Sequence, residues 1–486
     1  MTLHRLWRLV ALLLALAAPA FALTTQGVVT GRIYDELATS DTAMKDFQDL
    51  GLGYIRIEFE EFRDRRWAGY SDAEVQRRKT QYQTIIQKAH SRGIKVLGIV
   101  NLNSFPDPGG FPDTDASLQA YVDSVRWHLQ NYAVDAVEIW NEPGNNGLWA
   151  GKLGRYGKML VMTYSQLKPS YQSRIFVGPT TVNAERGDWL GYHGTSFVPE
   201  NSIFNCAAVQ TYRNNNAGKL PLDVISWHPY GSSTSASPNS TSFYYGQTFA
   251  TYYTNILNYT DRANRKVVGS TPIWFTEYGW SSVWAGAENQ RIFQEQMITL
   301  INARPQIHVP FWYSYRDDEA GGEGKTFGLR TNSGGGFAPK RVYYPFMAHS
   351  NLVGLATSDG YNEWTVDEII NKYLAAGGRG YVGHPWNDGG PWYGDKVHYW
   401  GPNNNGYIQN FTGGAMGVGA ITVKIGVRTG YLLKGGFWTH YKNNGGPYSF
   451  GWPITDEYVQ NGYVLQQFEL GYFRWRSGEA ITFIRW

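Results

Sequence analysis

The sequence predicts an α/β chain whose larger part, residues 23–355, folds as a (β/α)8 TIM barrel. Three observations predict it. Short apolar runs alternate with longer amphipathic segments, the pattern of a parallel sheet whose strands are joined by helices. Eight such pairs fit between residues 26 and 354, a span that suits a barrel of ~250 residues with loop insertions. Polar and charged side chains gather at the C-terminal ends of the runs, the rim where such barrels carry their chemistry. After Leu355 the composition shifts to glycine, tryptophan, tyrosine and asparagine, and residues 356–486 read as a small β-rich repeat domain.

Residues 1–22 stand apart from the fold. His4, Arg5 and Arg8 precede an apolar run over 9–16, and Ala20-Phe21-Ala22 closes it with small residues. This is the layout of a secretory signal peptide cut after Ala22, and the run is short for a membrane span. Strand one is expected over 27–34 and the first helix over 40–50. Strand two covers 54–60, and Ser71-Asp72-Ala73-Glu74 opens a helix over 71–92 as a capping box. Strand three covers 95–101, with a helix over 114–132. Strand four is Ala136-Val137-Glu138-Ile139, and it breaks off at Asn141-Glu142-Pro143-Gly144. Proline there cannot donate to a ladder, and glycine turns the chain. A helix follows over 155–171, strand five over 174–178, strand six over 223–230 and a helix over 248–266. Strand seven runs from Pro272 to Glu277 and its aromatic neighbours. A helix over 287–303, strand eight over 308–315 and a closing helix over 342–352 complete the set.

Composition excludes several classes. One cysteine, Cys206, permits no internal disulfide, so stability rests on a large core, and Cys206 reads as a small buried residue. The net charge is +3, with both signs scattered and no basic block to hold nucleic acid. No histidine set has metal-ligand spacing and no glycine-rich phosphate loop follows a strand, so no metal and no cofactor is expected. Tryptophan (19) and tyrosine (34) are abundant, as suits rings that stack on sugar faces; core packing accounts for many of them.

Two strand tips each present one glutamate, Glu142 and Glu277, and a pair of carboxylates is the apparatus of glycoside hydrolysis. Trp140-Asn141-Glu142-Pro143 and Thr276-Glu277-Tyr278-Gly279-Trp280 resemble the acid/base and nucleophile motifs of the clan A retaining glycoside hydrolases. The β-xylosidase/iduronidase-like family and its bacterial exopolysaccharide-hydrolase relatives are the nearest in kind, the cellulase-like family next, and the resemblance covers about residues 26–354. It implies Glu142 as acid/base and Glu277 as nucleophile. It further implies that Arg56 supports the nucleophile and that Asn141 contacts the sugar 2-hydroxyl. His228 or Tyr230 on strand six would contact the nucleophile region, Tyr230 being favoured, and Trp312 on strand eight would floor the sugar subsite. Glu142 is expected to hold its proton because of the negative charge of Glu277 and aromatic surroundings. Plainer readings stand beside these. Arg56 could pair with Glu58 or Glu60, His228 could orient others or sit in the core, and Trp312 could fill the barrel. By alternation Glu138 shares the face of Glu142 and needs a partner. Asp317 and Asp318 read as hydrogen-bonding rim residues or caps.

The C-terminal region carries a weak repeat. Gly383-His384-Pro385-Trp386-Asn387-Asp388 pairs with Gly451-Trp452-Pro453-Ile454-Thr455-Asp456, and the stretch from Gly406 to Phe411 with that from Gly462 to Phe468. The second copy resembles the LGFP repeat of secreted and wall-associated proteins, which implies attachment to a wall or envelope glycan; a small domain that only covers the barrel is the plain alternative. The resemblances together imply a secreted, extracellular or envelope-associated retaining enzyme that cleaves β-glycosidic bonds of a polysaccharide or oligosaccharide. A transglycosylase would use the same residues. A barrel without activity would be a glycan-binding wall protein.

Overall fold

A computed structural model describes residues 25–61, 72–104, 111–318 apart from 146, 183, 233 and 234, 326–343 apart from 338 and 341, and 368–486 apart from 370, 374, 378–380, 386–396 and 428. The chain divides into two compact units, one drawn mostly from residues before 316 and one mostly from residues after it.

The first unit is built on nine parallel strands. They are β1 Gly27–Val29, β2 Tyr54–Glu58, β3 Lys95–Val100, β4 Ala136–Ile139, β5 Ile175–Val177 and β6 Thr181–Val182, and then, beyond a small antiparallel hairpin (β7 Tyr192–His193, β8 Ser196–Phe197), β9 Ile225–His228, β10 Ile273–Tyr278 and β11 Ile307–Trp312. They pair in the order β5-β4-β3-β2-β1-β11-β10-β9-β6. β5 lies within the strand expected over 174–178, and β6 is an unexpected continuation of it beyond Gly178-Pro179-Thr180, where proline offers no N–H to a ladder. β5 meets the start of β9 at the parallel bridge Val177–Val224, and β6 continues that pairing at Thr181–Trp227. The sheet therefore closes on itself. This is the eight-stranded barrel expected from the sequence, with its fifth strand broken in two.

Inward side chains stack in layers. Val29, Tyr54, Leu97, Ala136, Val177, Val224, Trp274, Val309 and Phe311 form an apolar layer to which every part of the barrel contributes. Gly27 lets β1 approach it, since a Cβ there would come within 2.5 Å of the Phe311 ring. Side chains alternate along a strand, so the next inward positions are two residues on. From Tyr54, Ala136, Val224 and Trp274 that step gives Arg56, Glu138, Ser226 and Thr276, all buried. A polar layer thus lies above an apolar floor.

Two of the barrel's helices open on a side-chain cap. Thr114 accepts from Ser117 N at 3.1 Å to open Asp115–Asn131, and Thr248 accepts from Thr251 N at 3.2 Å to open Phe249–Asn258. The second stops well short of the expected 266. Asp261 accepts the N–H groups of Ala263 and Arg265 and pairs with the Arg213 guanidinium, which turns the chain out of the helix. The first strand is also shorter than expected, because Tyr34–Thr39 is helical. Ser71 of the capping box lies outside the described residues, as does the closing helix beyond Val342 and Tyr343. No helix among the described residues is long and apolar enough to cross a membrane.

The second unit is β-rich, as expected. One antiparallel sheet runs β12 (Gly383–Pro385), β14 (Gly406–Gly414), β15 (Gly417–Lys424), β16 (Gly430–Lys434), with β13 (His398–Trp400) also on β14. The other runs β17 (Tyr458–Gln460), β18 (Tyr463–Phe468), β19 (Gly471–Trp475), β20 (Thr482–Arg485). Helix Gly435–Asn443 supplies Phe437, Trp438 and Tyr441 to a core shared with Ala420, Leu433, Phe468 and Phe473. Of the two repeat pairs, one is matched in structure: both 406–411 and 463–468 are inner strands. The other is not, because Gly383–Pro385 is a strand while Gly451–Pro453 follows a short helix; residues 386–388 lie outside the described set.

Candidate active site

Beyond β4 the backbone takes an unusual course. Trp140 and Glu142 have φ of 68° and 47°, a left-handed conformation uncommon outside glycine. The Trp140 ring is buried and packs against Phe111, Tyr121 and Trp149, with centroids 5.2, 5.7 and 5.4 Å away. That packing holds the turn in place and Pro143–Asn145 completes it, so Glu142 projects from the strand tip.

Arg56 is the hub of the polar layer. Its Nε donates to Glu138 Oε2 at 2.5 Å, Nη1 to Glu277 Oε1 at 2.7 Å and Nη2 to Asn141 Oδ1 at 2.9 Å. Burial works against its charge, but Glu138 and Glu277 more than offset that and raise its proton affinity. Its partners are therefore neither Glu58, which accepts from Asn101, nor Glu60, which pairs with Arg32. Glu138 has its partner, as the alternation argument required. Tyr230 Oη donates to Glu277 Oε2 at 2.9 Å, so both oxygens of Glu277 are engaged. His228 serves the other carboxylate: Nδ1 lies 2.6 Å from Glu142 Oε1 and 3.6 Å from Glu277 Oε2. Strand six thus supplies two site residues with distinct partners.

Glu142 departs from expectation. Burial pushes its proton affinity up, but the hydrogen bond and charge of His228 outweigh that, with help from Asn145 and Arg56, and hold it below the usual carboxylate range. His228 moves the opposite way. Burial would lower it, yet Glu277 and Glu142 raise it above the ordinary imidazole value. Nδ1 of His228 and Oε1 of Glu142 are 2.6 Å apart, a short contact that suits one proton held between them. Glu277, expected to raise Glu142, is instead the foremost influence raising His228.

Trp312 is fully buried, edge-on to Tyr278 at 5.5 Å and near Trp280 at 6.4 Å. Val309 and Phe311 face inward, so Trp312 faces out, and it presents no open face to a sugar. The next inward position is Tyr313, half-buried against the inner cluster and near enough to Tyr230 for their phenols to interact. Asp317 is an ion-pair residue, 2.8 Å from Lys340 Nζ and accepting from Gly328 N. Cys206 is buried, and burial pushes its thiol up to about 11, as suits a packing residue.

Glu142, His228 and Glu277 bring one donor atom each within 4.8 Å of one another, the one set among the described residues that could hold a metal ion. Arg56 and Tyr230 already engage both oxygens of Glu277, so the set suits hydrogen bonding. Sequence reasoning gave no role to Tyr313, Thr180, Ser226 or Thr276. Alternation from Val224 and Trp274 would have found the last two.

No family model and no curated protein matches this chain. Among solved structures it is similar to a family 39 glycoside hydrolase from the gut symbiont Bacteroides cellulosilyticus, at 14% identity and TM-score 0.46, over 82% of this chain and 70% of that one. A β-glucosidase from Exiguobacterium marinum matches at 14% and 0.46, over 65% of this chain and 87% of that one. The family 39 glycoside hydrolase enzyme from Xanthomonas axonopodis pv. citri matches at 17% and 0.42, over 67% of this chain and 65% of that one. Likeness of this degree carries no chemistry across, and the site stands on its own residues.

Proposed function

We propose that the chain is a secreted retaining β-glycoside hydrolase that cleaves a polysaccharide or oligosaccharide by double displacement, with Glu277 as nucleophile and Glu142 as acid/base. The observation that carries this reading is the closeness of the two carboxylates, one oxygen of each lying within 4.8 Å of the other, with His228 Nδ1 reaching both. Retaining sites set the pair about 5–5.5 Å apart, whereas inverting sites need ~6.5–9.5 Å to admit a water.

The partner sets fit the two roles. Arg56 and Tyr230 hold Glu277 in place and stabilise negative charge on it, as a nucleophile requires. Asn141 accepts from Arg56 through Oδ1, which leaves its amide N–H groups for the sugar 2-hydroxyl. In the first step the proton shared by Glu142 and His228 passes through Glu142 to the leaving oxygen while Glu277 attacks the anomeric carbon. Glycosylation removes the charge of Glu277, and Glu142, now deprotonated, takes a proton from the incoming water. No cofactor enters either step.

The test is a panel of aryl β-glycosides and polysaccharides with NMR of the first-formed anomer. A first product of retained configuration supports the reading; an inverted first product, or no turnover on any member, overturns it. A sugar hydroxyl in place of water would make the same site a transglycosylase, seen as longer products at high acceptor concentration. Secretion rests on residues 1–22, and a mature protein starting at Leu23 would support it.

We also propose that the second unit binds a wall or polysaccharide glycan. Supporting this is the outer face of the β17–β20 sheet, where Tyr458, Tyr463, Tyr472 and Trp486 line an open groove of 320 Å³ with Gln467 and Arg474. The exposed Trp486 ring offers a stacking face, and Arg474, over the Tyr463 ring at 4.7 Å, brings a positive charge that suits an acidic sugar.

A further inference from the structure

We infer that a buried chain of three hydroxyls, Thr276, Ser226 and Thr180, anchored on Glu138, keeps the proton of His228 on Nε2 and so makes its Nδ1 the atom that shares a proton with Glu142. The inference rests on the proposed roles only for its catalytic meaning; the tautomer itself follows from the hydrogen bonds.

Glu138 is the fixed end. Its Oε2 accepts from Arg56 Nε and its Oε1 from Thr180 Oγ1, so both oxygens act as acceptors. Thr180 Oγ1, 2.7 Å from Glu138 Oε1, must therefore spend its one proton there. Ser226 Oγ, 3.2 Å from Thr180, can then only donate to it. Thr276 Oγ1, 3.3 Å away, donates to Ser226 and has none left for the imidazole. His228 Nε2, 3.2 Å from Thr276 Oγ1, must in turn be the donor. Glu138, Thr180, Ser226, Thr276 and His228 all have 0% exposure, so no bulk water intervenes to reverse the order.

One consequence reaches the reacting groups. With Nε2 protonated, the short contact between Nδ1 and Glu142 is favourable only when a proton lies in it. Were both deprotonated there, a lone pair would face a carboxylate. The charged groups around His228 are Glu142 after β4, Glu277 on β10 and Arg56 on β2, with Tyr230 edge-on at 6.2 Å. The three hydroxyls are positioning residues, acting on the proton of Glu142 through His228 from beneath the site.

The experiment uses the full chain labelled with ¹⁵N-histidine. His228 is identified by the signals lost in His228→Gln, and its tautomer is read from two-bond ¹H–¹⁵N correlations. The wild type is expected to show a protonated Nε2 throughout its titration. Thr276→Val removes the acceptor, so a neutral Nδ1–H form should appear. The alkaline limb of kcat/KM should then move to lower pH by on the order of one unit, the effect of losing one hydrogen bond to a charged group. Thr276→Ser should restore both readings. A neutral Nδ1–H histidine in the wild type would overturn the inference, as would a Thr276→Val protein with unchanged tautomer. If Thr276→Val does not fold, the wild-type spectrum decides alone. An Nε2–H pattern in a protein that hydrolyses no glycoside would count against the proposed function and leave this inference standing.

Discussion

Replacing Arg56 with methionine separates what its guanidinium does for the fold from what it does for the site. Met has a similar length and no charge. The change strands Glu138, which has no exposed surface, and leaves Glu277, 8% exposed, without its cation. Opposite charges ~4 Å apart at an effective dielectric near 20 attract by about 4 kcal/mol, much of it offset by desolvation in the intact pair. Once one partner is gone the desolvation cost remains, and broken buried pairs lose about 3–5 kcal/mol. That is a large part of a domain's usual ~5–15 kcal/mol, so a urea unfolding curve followed by tryptophan fluorescence should show it plainly. Adding Glu138→Gln removes the stranded charge and keeps an acceptor for Thr180. The double variant should regain most of the stability. Its kcat/KM on an aryl glycoside should stay down by ~10²-fold or more, because Glu277 and Asn141 still lack the fork that positions them. A loss below about 1 kcal/mol in the single variant would refute the reasoning. So would a double variant that recovered activity along with stability.

Four further outcomes are expected. With azide, Glu277→Ala should give a glycosyl azide of inverted configuration, whereas Glu142→Ala, which still forms the intermediate on a dinitrophenyl glycoside, should give the retained one; the same anomer from both would void the two roles. His228 is raised above its ordinary ~6.5, so wild-type kcat/KM should persist beyond that pH and fall as pH rises through the higher value. In His228→Gln the fall should come at lower pH, and an identical limb would show that His228 does not hold the proton. Asp261→Ala strands the buried Arg213 and should cost about 3–5 kcal/mol in urea unfolding without changing KM, a result that a near-neutral midpoint shift would contradict. Trp486→Ala with Arg474→Gln should weaken retention on insoluble acidic glycan while leaving aryl-glycoside rates alone; full retention would remove the groove from consideration.

The sequence made the rim legible where a strand ended in an abrupt signal. Asn141-Glu142-Pro143 and Glu277-Tyr278-Gly279 mark their own strand tips, and alternation alone placed Glu138 on the inward face. It was less legible wherever the outcome depended on pairing between distant strands. Arg56 had two acidic neighbours in sequence, Glu58 and Glu60, yet it bonds to residues 82 and 221 positions away. Only closure of the barrel brings β4 and β10 to it. Trp312 shows the opposite failure, in which a residue type suggested a role that its face of the strand does not permit. The break at Pro179 explains why Thr180 could not be placed, since a register argument stops where the ladder stops. The case of Glu142 goes deeper. The sequence expectation assigned the proton to Glu142 from the charge of Glu277 and aromatic surroundings, with no third group between the carboxylates. The fold inserts His228 at 2.6 Å from one and 3.6 Å from the other, so the negative charge of Glu277 acts first on the imidazole. Under the proposed roles the acid is a pair of groups with one proton, and the residue inferred to tune it is Thr276, which faces the far nitrogen of that imidazole and immediately precedes Glu277 in the chain.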